Sequence, residues 1–403
     1  MGDRRKLKQM AANLLLSLGG VGFGIIVMEI GLRIAGISYP SFYQVDPYRG
    51  HALISNYSAQ WTHEGNGYVS LNQDSLRDKD HDFVKPSNTY RIAILGDSFS
   101  EAIQVNAEET FWAILAENLS ACAAFTGKKI EVINFGVGDY GTAQELMTLK
   151  HKVWKYKPDL VLLEIFTGND LVNNSKALSP SDRFAPFLVK KQGKFEWDMS
   201  FQDSDTYRRR GSQFRQALFW LINHSRVLQV INEAKRAITT HQPLVGNASN
   251  SNKDDKTAII PALDFDVNLY REPQDQNWQE AWEITEALLK EMNQEVKAKG
   301  AKFLAVTFSN PPQVYPDLQV REALKRQGAT NLFYPDQRIQ KIGQSNGFEV
   351  LNLAPTFQRY GDQNNVFLHG FDNTAMGIGH WNKAGHQLGG KMIANYVCTW
   401  LSR

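Results

Sequence analysis

The sequence predicts an α/β domain built on a parallel β-sheet and preceded by one membrane-spanning helix. From residue 90 onward, short runs of Ile, Val and Leu alternate with stretches of helical pattern, which is typical of βαβ units. The runs are apolar at nearly every position, as expected for strands buried on both faces. Near the N-terminus, residues 10–28 carry no charged side chain and are about long enough to cross a bilayer as a helix.

The composition narrows the class of partner. Hydrophobic residues make up 42% of the chain, which is typical of a folded protein rather than a disordered one. The 44 basic and 42 acidic side chains nearly cancel. A protein that binds the phosphates of a nucleic acid needs an excess of basic side chains, so no nucleic-acid partner is predicted.

The first 37 residues indicate an uncleaved membrane anchor. Residues 1–9 form a basic tail with Arg4, Arg5, Lys6 and Lys8, and residues 10–37 form the predicted transmembrane signal anchor. The competing prediction is a cleaved signal peptide, whose apolar core would span about 7–15 residues and end at a small-residue site. This stretch is longer and has no good cleavage match. Basic residues before the span favour a cytoplasmic N-terminus, so the rest of the chain is expected to be periplasmic or extracellular.

The remainder divides into a lead-in segment and the α/β domain. Residues 38–89 are polar, with a strand predicted at 67–71, and residues 90–403 form the domain. The predicted strands are 91–95, 130–135, 160–166, 302–308 and 349–353, and the predicted helices are 106–119, 143–156, 277–299, 334–343 and 383–401. An insertion at about 173–274, with a helical pattern at 211–239 and a flexible polar run at 241–256, is expected to wall the site at the strand ends.

Residues with chemical potential follow three consecutive predicted strands. Ser98 comes just after the first strand, two residues beyond a glycine, where open α/β sheets place their sites. Gly136 follows the second strand and Asn169 the third, where each could donate a hydrogen bond to a developing oxyanion. His380 lies ahead of the last helix and could act as a general base. Each alone is an ordinary turn or capping residue; their combination is what distinguishes the chain.

Together, these four segments resemble the SGNH (GDSL-type) hydrolase family over about residues 90–400, apart from the insertion. The resemblance implies a flavodoxin-like three-layer parallel sheet. It also implies that Ser98 is the nucleophile and His380 the general base. The oxyanion hole would consist of the N–H groups of Ser98 and Gly136 with the side chain of Asn169. His386 is the alternative base, but in the family the second histidine begins the terminal helix.

One position departs from the family pattern. The family usually carries an aspartate two or three residues before the histidine, and here those positions hold Gly377 and Ile378. Asp372, eight residues upstream, is the candidate acid if the chain folds back, and a backbone carbonyl is the alternative. A Ser–His pair without any acid would remain chemically sound, although losing a triad acid costs roughly 10⁴ in rate.

The predicted function is hydrolysis of an O-acyl or O-acetyl ester, with a small-molecule ester or an acylated glycan as substrate. Two alternatives stay open: an O-acetyltransferase acting on cell-surface polysaccharide, and a non-catalytic glycan-binding or envelope assembly protein. No metal or organic cofactor is expected, since no H-x-x-x-H pattern and no glycine-rich phosphate loop occurs. Cys122 and Cys398 are either two buried thiols or one disulfide.

Overall fold

The computed structural model describes residues 2–240 and 259–402, which fall into two compact units. One unit combines the chain before residue 42 with residues from 209 onward in the insertion. The other contains residues 42–208 and the chain from residue 259. The polar run at 241–256, predicted to be a flexible loop, lies outside the described residues.

Within the described residues, the second unit is organised around a sheet of five parallel strands in the order β11-β10-β7-β5-β6. Antiparallel hairpins pair β1 with β2, β3 with β4, and β8 with β9. The strands are β1 Tyr43–Asp46, β2 Gly50–Leu53, β3 Tyr57–Trp61, β4 Gly67–Leu71, β5 Thr89–Leu95, β6 Lys129–Asn134, β7 Leu160–Phe166, β8 Phe187–Lys191, β9 Lys194–Asp198, β10 Lys302–Phe308 and β11 Glu349–Asn352.

The helices alternate with the strands of the central sheet, as the sequence pattern predicts. They are α1 Gly2–Ile34, α2 Ser98–Glu101, α3 Phe111–Ser120, α4 Thr142–His151, α5 Asp170–Asn174, α6 Asp205–Arg210, α7 Gln213–His224, α8 Arg226–Thr240, α9 Gln276–Ala298, α10 Pro311–Val314, α11 Leu318–Arg326, α12 Tyr334–Asn346, α13 Ala354–Asn364 and α14 Lys383–Leu401.

The central sheet is buried on both faces. Successive residues of a strand point to opposite sides, so Ile92 and Ile94 of β5 enter one hydrophobic cluster while Ala93 and Leu95 enter the other. The first cluster is completed by α3, α13 and α14, and the second by α4, α9 and α12. This three-layer arrangement explains why the strands carry continuous apolar runs rather than an alternating pattern.

The predicted fold class is confirmed. Each of the five predicted strands is present in the central sheet, with bounds that agree to within two residues. The lead-in contains more structure than its polar composition indicates: besides β4, the predicted 67–71 strand, it forms β1, β2 and β3. Trp61 pairs with Gly67, so residues 62–66 form the turn between β3 and β4. This turn lies in the candidate active site.

Helix α1 is the one described helix that is long and apolar enough to cross a membrane. Residues 5–34 contain a window with a mean hydropathy of 2.0, none of which is buried in the protein. Near its C-terminal end, Arg33 and Glu29 form an ion pair at 2.7 Å. Length and composition thus agree with the predicted span.

Cys122 and Cys398 form a disulfide, which decides between the two alternatives left by the sequence. Cys122 follows α3, and Cys398 lies in the last turn of α14, two helices that pack in the same layer. The bond closes a loop with a sequence separation of 276 residues. Long loops lose the most denatured-state entropy on closure, so the bond should stabilise the domain appreciably.

Reducing the disulfide should lower the free energy of unfolding by about 2–4 kcal/mol, because the denatured chain regains the freedom that the bond removes. The measurement is urea unfolding of the full chain in detergent, with and without dithiothreitol. The double variant Cys122→Ala/Cys398→Ala is the control: it should unfold at the reduced protein's midpoint and not respond to reductant. Equal midpoints for the oxidised and reduced wild type would contradict a stabilising bond.

Candidate active site

Ser98 stands at the carboxyl end of β5, at the first residue of the short helix α2. Asp97 caps this helix, its Oδ1 accepting the N–H of Phe99 at 2.9 Å. Gly96 makes the turn possible: a Cβ there would lie 2.2 Å from Oε2 of Glu164, far closer than atoms can approach. At this strand end Ser98 is half-buried.

Two buried carboxyl groups form the floor beneath this turn. Oε2 of Glu164 accepts the N–H of Asp97 at 2.9 Å and the hydroxyl of Ser100 at 3.0 Å. Burial and the neighbouring Asp97 raise the pKa of Glu164 well above its ordinary value. Glu145 is also fully buried, and burial beside Glu164 raises its pKa in the same way. The hydrogen bonds of Glu164 therefore tie the Asp97 turn and the start of α2 to β7.

His380 reaches Ser98 from the loop before α14. Its Nε2 lies 2.9 Å from Oγ of Ser98. The loop is anchored by the next residue, Trp381, which is fully buried and stacks on Phe308 with ring centroids 4.1 Å apart. Asn382 then caps α14, accepting the N–H groups of two residues of its first turn. The imidazole is thus fixed by packing and capping on its C-terminal side.

The carboxylate on the other ring nitrogen belongs to Glu64. Its Oε2 lies 2.5 Å from Nδ1 of His380, and its Oε1 accepts the backbone N–H of His380 at 2.8 Å. Glu64 lies in the turn between β3 and β4, in the lead-in segment. Asp372, the acid candidate taken from the sequence, is exposed to solvent instead. The carboxylate that lies on Nδ1 of His380 is therefore the one from the hairpin before the α/β domain, Glu64, and not that of Asp372.

Asn373, the neighbour of Asp372, holds the Glu64 turn in place. Its Nδ2 donates to the carbonyl oxygens of Thr62 and Gly65, each at 2.9 Å, and its Oδ1 accepts the N–H of Gly65 at 2.9 Å. Gly65 has a φ of +68°, and a Cβ there would lie 2.3 Å from a backbone oxygen. The segment around Asp372 thus affects the histidine indirectly, through the turn that bears Glu64.

The electrostatics single out His380 among the histidines at this end of the domain. Burial disfavours the charged imidazolium form of His380. The negative charges of Glu64, Asp97 and Glu101 favour that form more strongly, so the pKa of His380 is raised. Burial lowers the pKa of His369 to about 4 and that of His386 to about 3. His386, the alternative base, accepts the N–H of Phe111 at Nδ1. His386 is therefore a neutral structural residue away from Ser98.

The residues expected to form an oxyanion hole lie near Ser98. The N–H of Gly136 donates to Oδ1 of Asn134 at 3.0 Å, and a Cβ on Gly136 would lie 2.4 Å from Cβ of Ser100 in α2. Nδ2 of Asn169 lies 3.2 Å from Oδ2 of Asp97. Both groups therefore border the Ser98 turn, with their N–H bonds directed to neighbouring protein oxygens.

Across residues 2–240 and 259–402, no group of three or more His, Cys, Asp or Glu side chains has a geometry that could hold a metal ion.

The comparisons with known proteins give only structural neighbours. No protein-family model and no curated protein matches the chain. Among solved structures, it resembles an acetyl xylan esterase, AlAXEase, at 13% identity and a TM-score of 0.37, covering 77% of this chain and 98% of that one. It resembles a protein of the G-D-S-L family from Desulfitobacterium hafniense at 12% identity and a TM-score of 0.33, covering 76% of this chain and 98% of that one. It resembles the lipase/acylhydrolase from Enterococcus faecalis at 13% identity and a TM-score of 0.37, covering 77% of this chain and 96% of that one. These scores are low, so the site is assigned from its own contacts alone.

The pKa of His380 should lie above its ordinary value of 6.5 and fall in Glu64→Gln. Glutamine keeps the shape of the side chain but removes the negative charge that stabilises the imidazolium. An NMR titration of the histidine side chains measures both values. His386 is the internal control, because burial holds its pKa at about 3 in either protein. An unchanged His380 titration in Glu64→Gln would contradict the assignment of Glu64.

Asn373→Ala should also lower the pKa of His380, because the Glu64 turn loses three hydrogen bonds and its carboxylate is no longer held on Nδ1. The free energy of unfolding should fall by only about 1 kcal/mol, since the site is exposed. Asp372→Ala is the matched control, because it changes the neighbouring residue and leaves the three hydrogen bonds of Asn373 intact. If Asp372→Ala lowers the pKa more than Asn373→Ala does, the sequence-based choice of acid is restored.

Proposed function

We propose that the chain is a membrane-anchored serine ester hydrolase of the SGNH type. The observation that carries the proposal is a continuous set of contacts from nucleophile to acid. Ser98 Oγ lies 2.9 Å from Nε2 of His380, and Nδ1 of the same ring lies 2.5 Å from Glu64. A hydroxyl, an imidazole and a carboxylate in this order are the parts that acyl transfer to serine requires.

The first step is attack of Ser98 on the ester carbonyl. Glu64 accepts a hydrogen bond from Nδ1–H, which fixes the tautomer and leaves the lone pair of Nε2 directed at the hydroxyl. As Oγ bonds to the carbonyl carbon, Nε2 takes its proton. The imidazolium that forms is stabilised by Glu64, whose charge also raises the pKa of His380. The carboxylate thus favours the charged state reached in the transition state.

The negative charge on the carbonyl oxygen is assigned to three donors. These are the N–H of Ser98 at the start of α2, the N–H of Gly136, and the side-chain amide of Asn169. Two contacts support this assignment: Gly136 lies against Ser100 of α2, and Asn169 contacts Asp97. To serve the oxyanion, these two donors exchange their present acceptors, Oδ1 of Asn134 and Oδ2 of Asp97, for the substrate oxygen.

The tetrahedral intermediate collapses when His380 returns its proton to the alcohol oxygen. The C–O bond breaks, the alcohol leaves, and the acyl group remains on Ser98. A water then gives a proton to Nε2 while its oxygen attacks the acyl carbon, and the same donors stabilise the oxyanion. The C–Oγ bond breaks as His380 returns this proton to Oγ, which releases the acid and restores the serine. The substrate class that fits is an O-acyl or O-acetyl ester, as a small molecule or an acylated glycan.

The membrane topology is part of the proposal. The basic tail at 1–9 favours a cytoplasmic N-terminus, so α1 would place the catalytic residues on the outer side. The Cys122–Cys398 disulfide supports this placement, because such bonds persist in oxidising compartments. Glu29, near the end of α1, is hydrogen-bonded to the turn before α8. That contact favours a retained anchor, since a cleaved signal peptide would be lost with it.

Ser98→Ala should lower kcat for p-nitrophenyl acetate by roughly 10⁶-fold, and Glu64→Gln by about 10⁴-fold. The full chain in detergent is the enzyme used, with Asp372→Ala as the control that should keep the wild-type rate. The raised pKa of His380 places the acid limb of the wild-type pH–rate profile above pH 6.5. Equal rates for wild type and Ser98→Ala would overturn the proposal.

A fluorophosphonate probe distinguishes the remaining alternatives. Labelling of Ser98 together with ester turnover supports the hydrolase. Labelling without turnover indicates an acyltransferase that lacks its acceptor, such as a polysaccharide hydroxyl. A chain that neither labels nor turns over is a non-catalytic binding protein.

A further inference from the structure

Helices α7 and α8 are fixed to the C-terminal end of α1 by a carboxylate. Oε2 of Glu29 accepts the hydroxyl of Ser225 at 3.0 Å and the N–H of Val227 at 3.0 Å, and Oε1 accepts the N–H of Arg226 at 3.0 Å. A carboxylate at the start of a helix is favourable, because the first N–H groups have no partner within the helix. Arg33 completes the junction by donating to the carbonyl of His224 at 2.9 Å.

The residues after α1 continue this junction. The N–H of Tyr39 donates to Oε1 of Gln229 at 2.9 Å. Asn223 makes two bonds to the backbone of Ser41, accepting its N–H at 3.1 Å and donating to its carbonyl at 2.8 Å. Both side chains that make these bonds are buried. The α7–α8 pair is therefore a rigid extension of the anchor helix rather than a loose insertion.

The depth of this junction in a bilayer follows from Glu29 and Arg33. Charged side chains near the end of a transmembrane helix lie at the interface with water, because burying them in hydrocarbon is costly. Glu29 contacts the turn between α7 and α8 directly. Both helices therefore begin or end at the level of the lipid headgroups.

The α7–α8 pair also exposes large apolar side chains. Phe214 is 77% exposed and Leu221 49%, and these lie seven residues apart on one face of α7. Ile231 and Ile238, the latter 75% exposed, are spaced in the same way on α8. Apolar side chains in regular helical register are costly to leave in water, so a surface of this kind calls for an apolar partner.

The charge of the same segment indicates which partner. Residues 209–240 contain six basic residues, Arg209, Arg210, Arg215, Arg226, Lys235 and Arg236, and Glu233 as the single acid. Helices that lie in the membrane interface combine a basic polar face with exposed Phe, Leu, Ile or Trp. Anionic headgroups attract such a face, and the acyl region accepts its apolar side chains.

We infer that α7 and α8 form a second membrane contact, lying on an anionic lipid surface where α1 emerges from the bilayer. The inference rests on the proposed span of α1, and it is independent of the proposed ester chemistry. The pair would anchor the chain at two places and restrict its rotation about the span.

The test uses the full chain in vesicles of phosphatidylcholine and phosphatidylglycerol, with single cysteines carrying an NBD fluorophore. Labelled sites are Phe214→Cys and Leu221→Cys on the apolar face, Val21→Cys within α1, and Val84→Cys, a 78% exposed site in the other unit. The native cysteines are joined and do not react without reductant. Shallow doxyl lipids quench a fluorophore that lies in the interface.

The expected result is a blue shift and quenching at 214 and 221, with neither at 84. Arg215→Glu should reduce quenching at 221, whereas Lys299→Glu, an exposed lysine of the other unit, should not. Suppose that the fluorophores at 214 and 221 behave like the one at 84. If the fluorophore at 21 is in lipid, this result overturns the inference alone; if it is not, the result also overturns the proposed span of α1. If the fluorophores at 214 and 221 are shielded from water in native membranes but not in these vesicles, the partner is a protein and the lipid assignment is overturned.

Discussion

The contact between Glu64 and His380 is the interaction on which the rest of the site depends. It joins residues 316 positions apart, one from a hairpin before the α/β domain and one from the loop before its last helix. Because the carboxylate binds both Nδ1 and the backbone N–H, it fixes the ring and the loop together. Gly379 permits this approach: its φ is +77°, and a Cβ there would lie 2.2 Å from Oε1 of Glu64. Ser98 is positioned separately, by the buried strand β5 and by the Asp97 cap of α2.

The sheet could be predicted from the sequence because its signal is local. A strand buried on both faces needs apolar side chains at consecutive positions, and β7 shows this from Leu160 to Phe166. Ser98 and His380 could be proposed because each follows or precedes a recognisable element. Glu64 could not, since a glutamate in a polar turn carries no local sign that its side chain will reach a histidine so distant in sequence. Asp372 was proposed on sequence proximity alone; in the structure it is exposed, and its neighbour Asn373 is the residue that bonds the turn carrying Glu64.

The insertion and the cysteines show the same limit. A helical pattern at 211–239 predicts helices, and α7 and α8 are present, but it does not predict that they group with α1. That grouping depends on hydrogen bonds from Glu29 and Asn223, which connect distant parts of the chain. Likewise, nothing in the spacing of Cys122 and Cys398 reveals that α3 and α14 pack side by side. Pairings of this kind are properties of the tertiary fold.

The position of Glu64 ahead of β5 determines how much of the chain is needed for the contacts among Ser98, His380 and Glu64 to form. A boundary drawn at residue 90, where the βαβ pattern begins, would retain the entire sheet, the serine and the histidine, yet leave the imidazole without its carboxylate. Exchanging only residues 90–403 would also remove the bonds that the lead-in makes to this part, such as those from Arg77 to the carbonyls of Glu101 and Val105. The β3–β4 hairpin and the sheet therefore belong to one compact unit that has to be kept whole for the Glu64–His380 contact to exist.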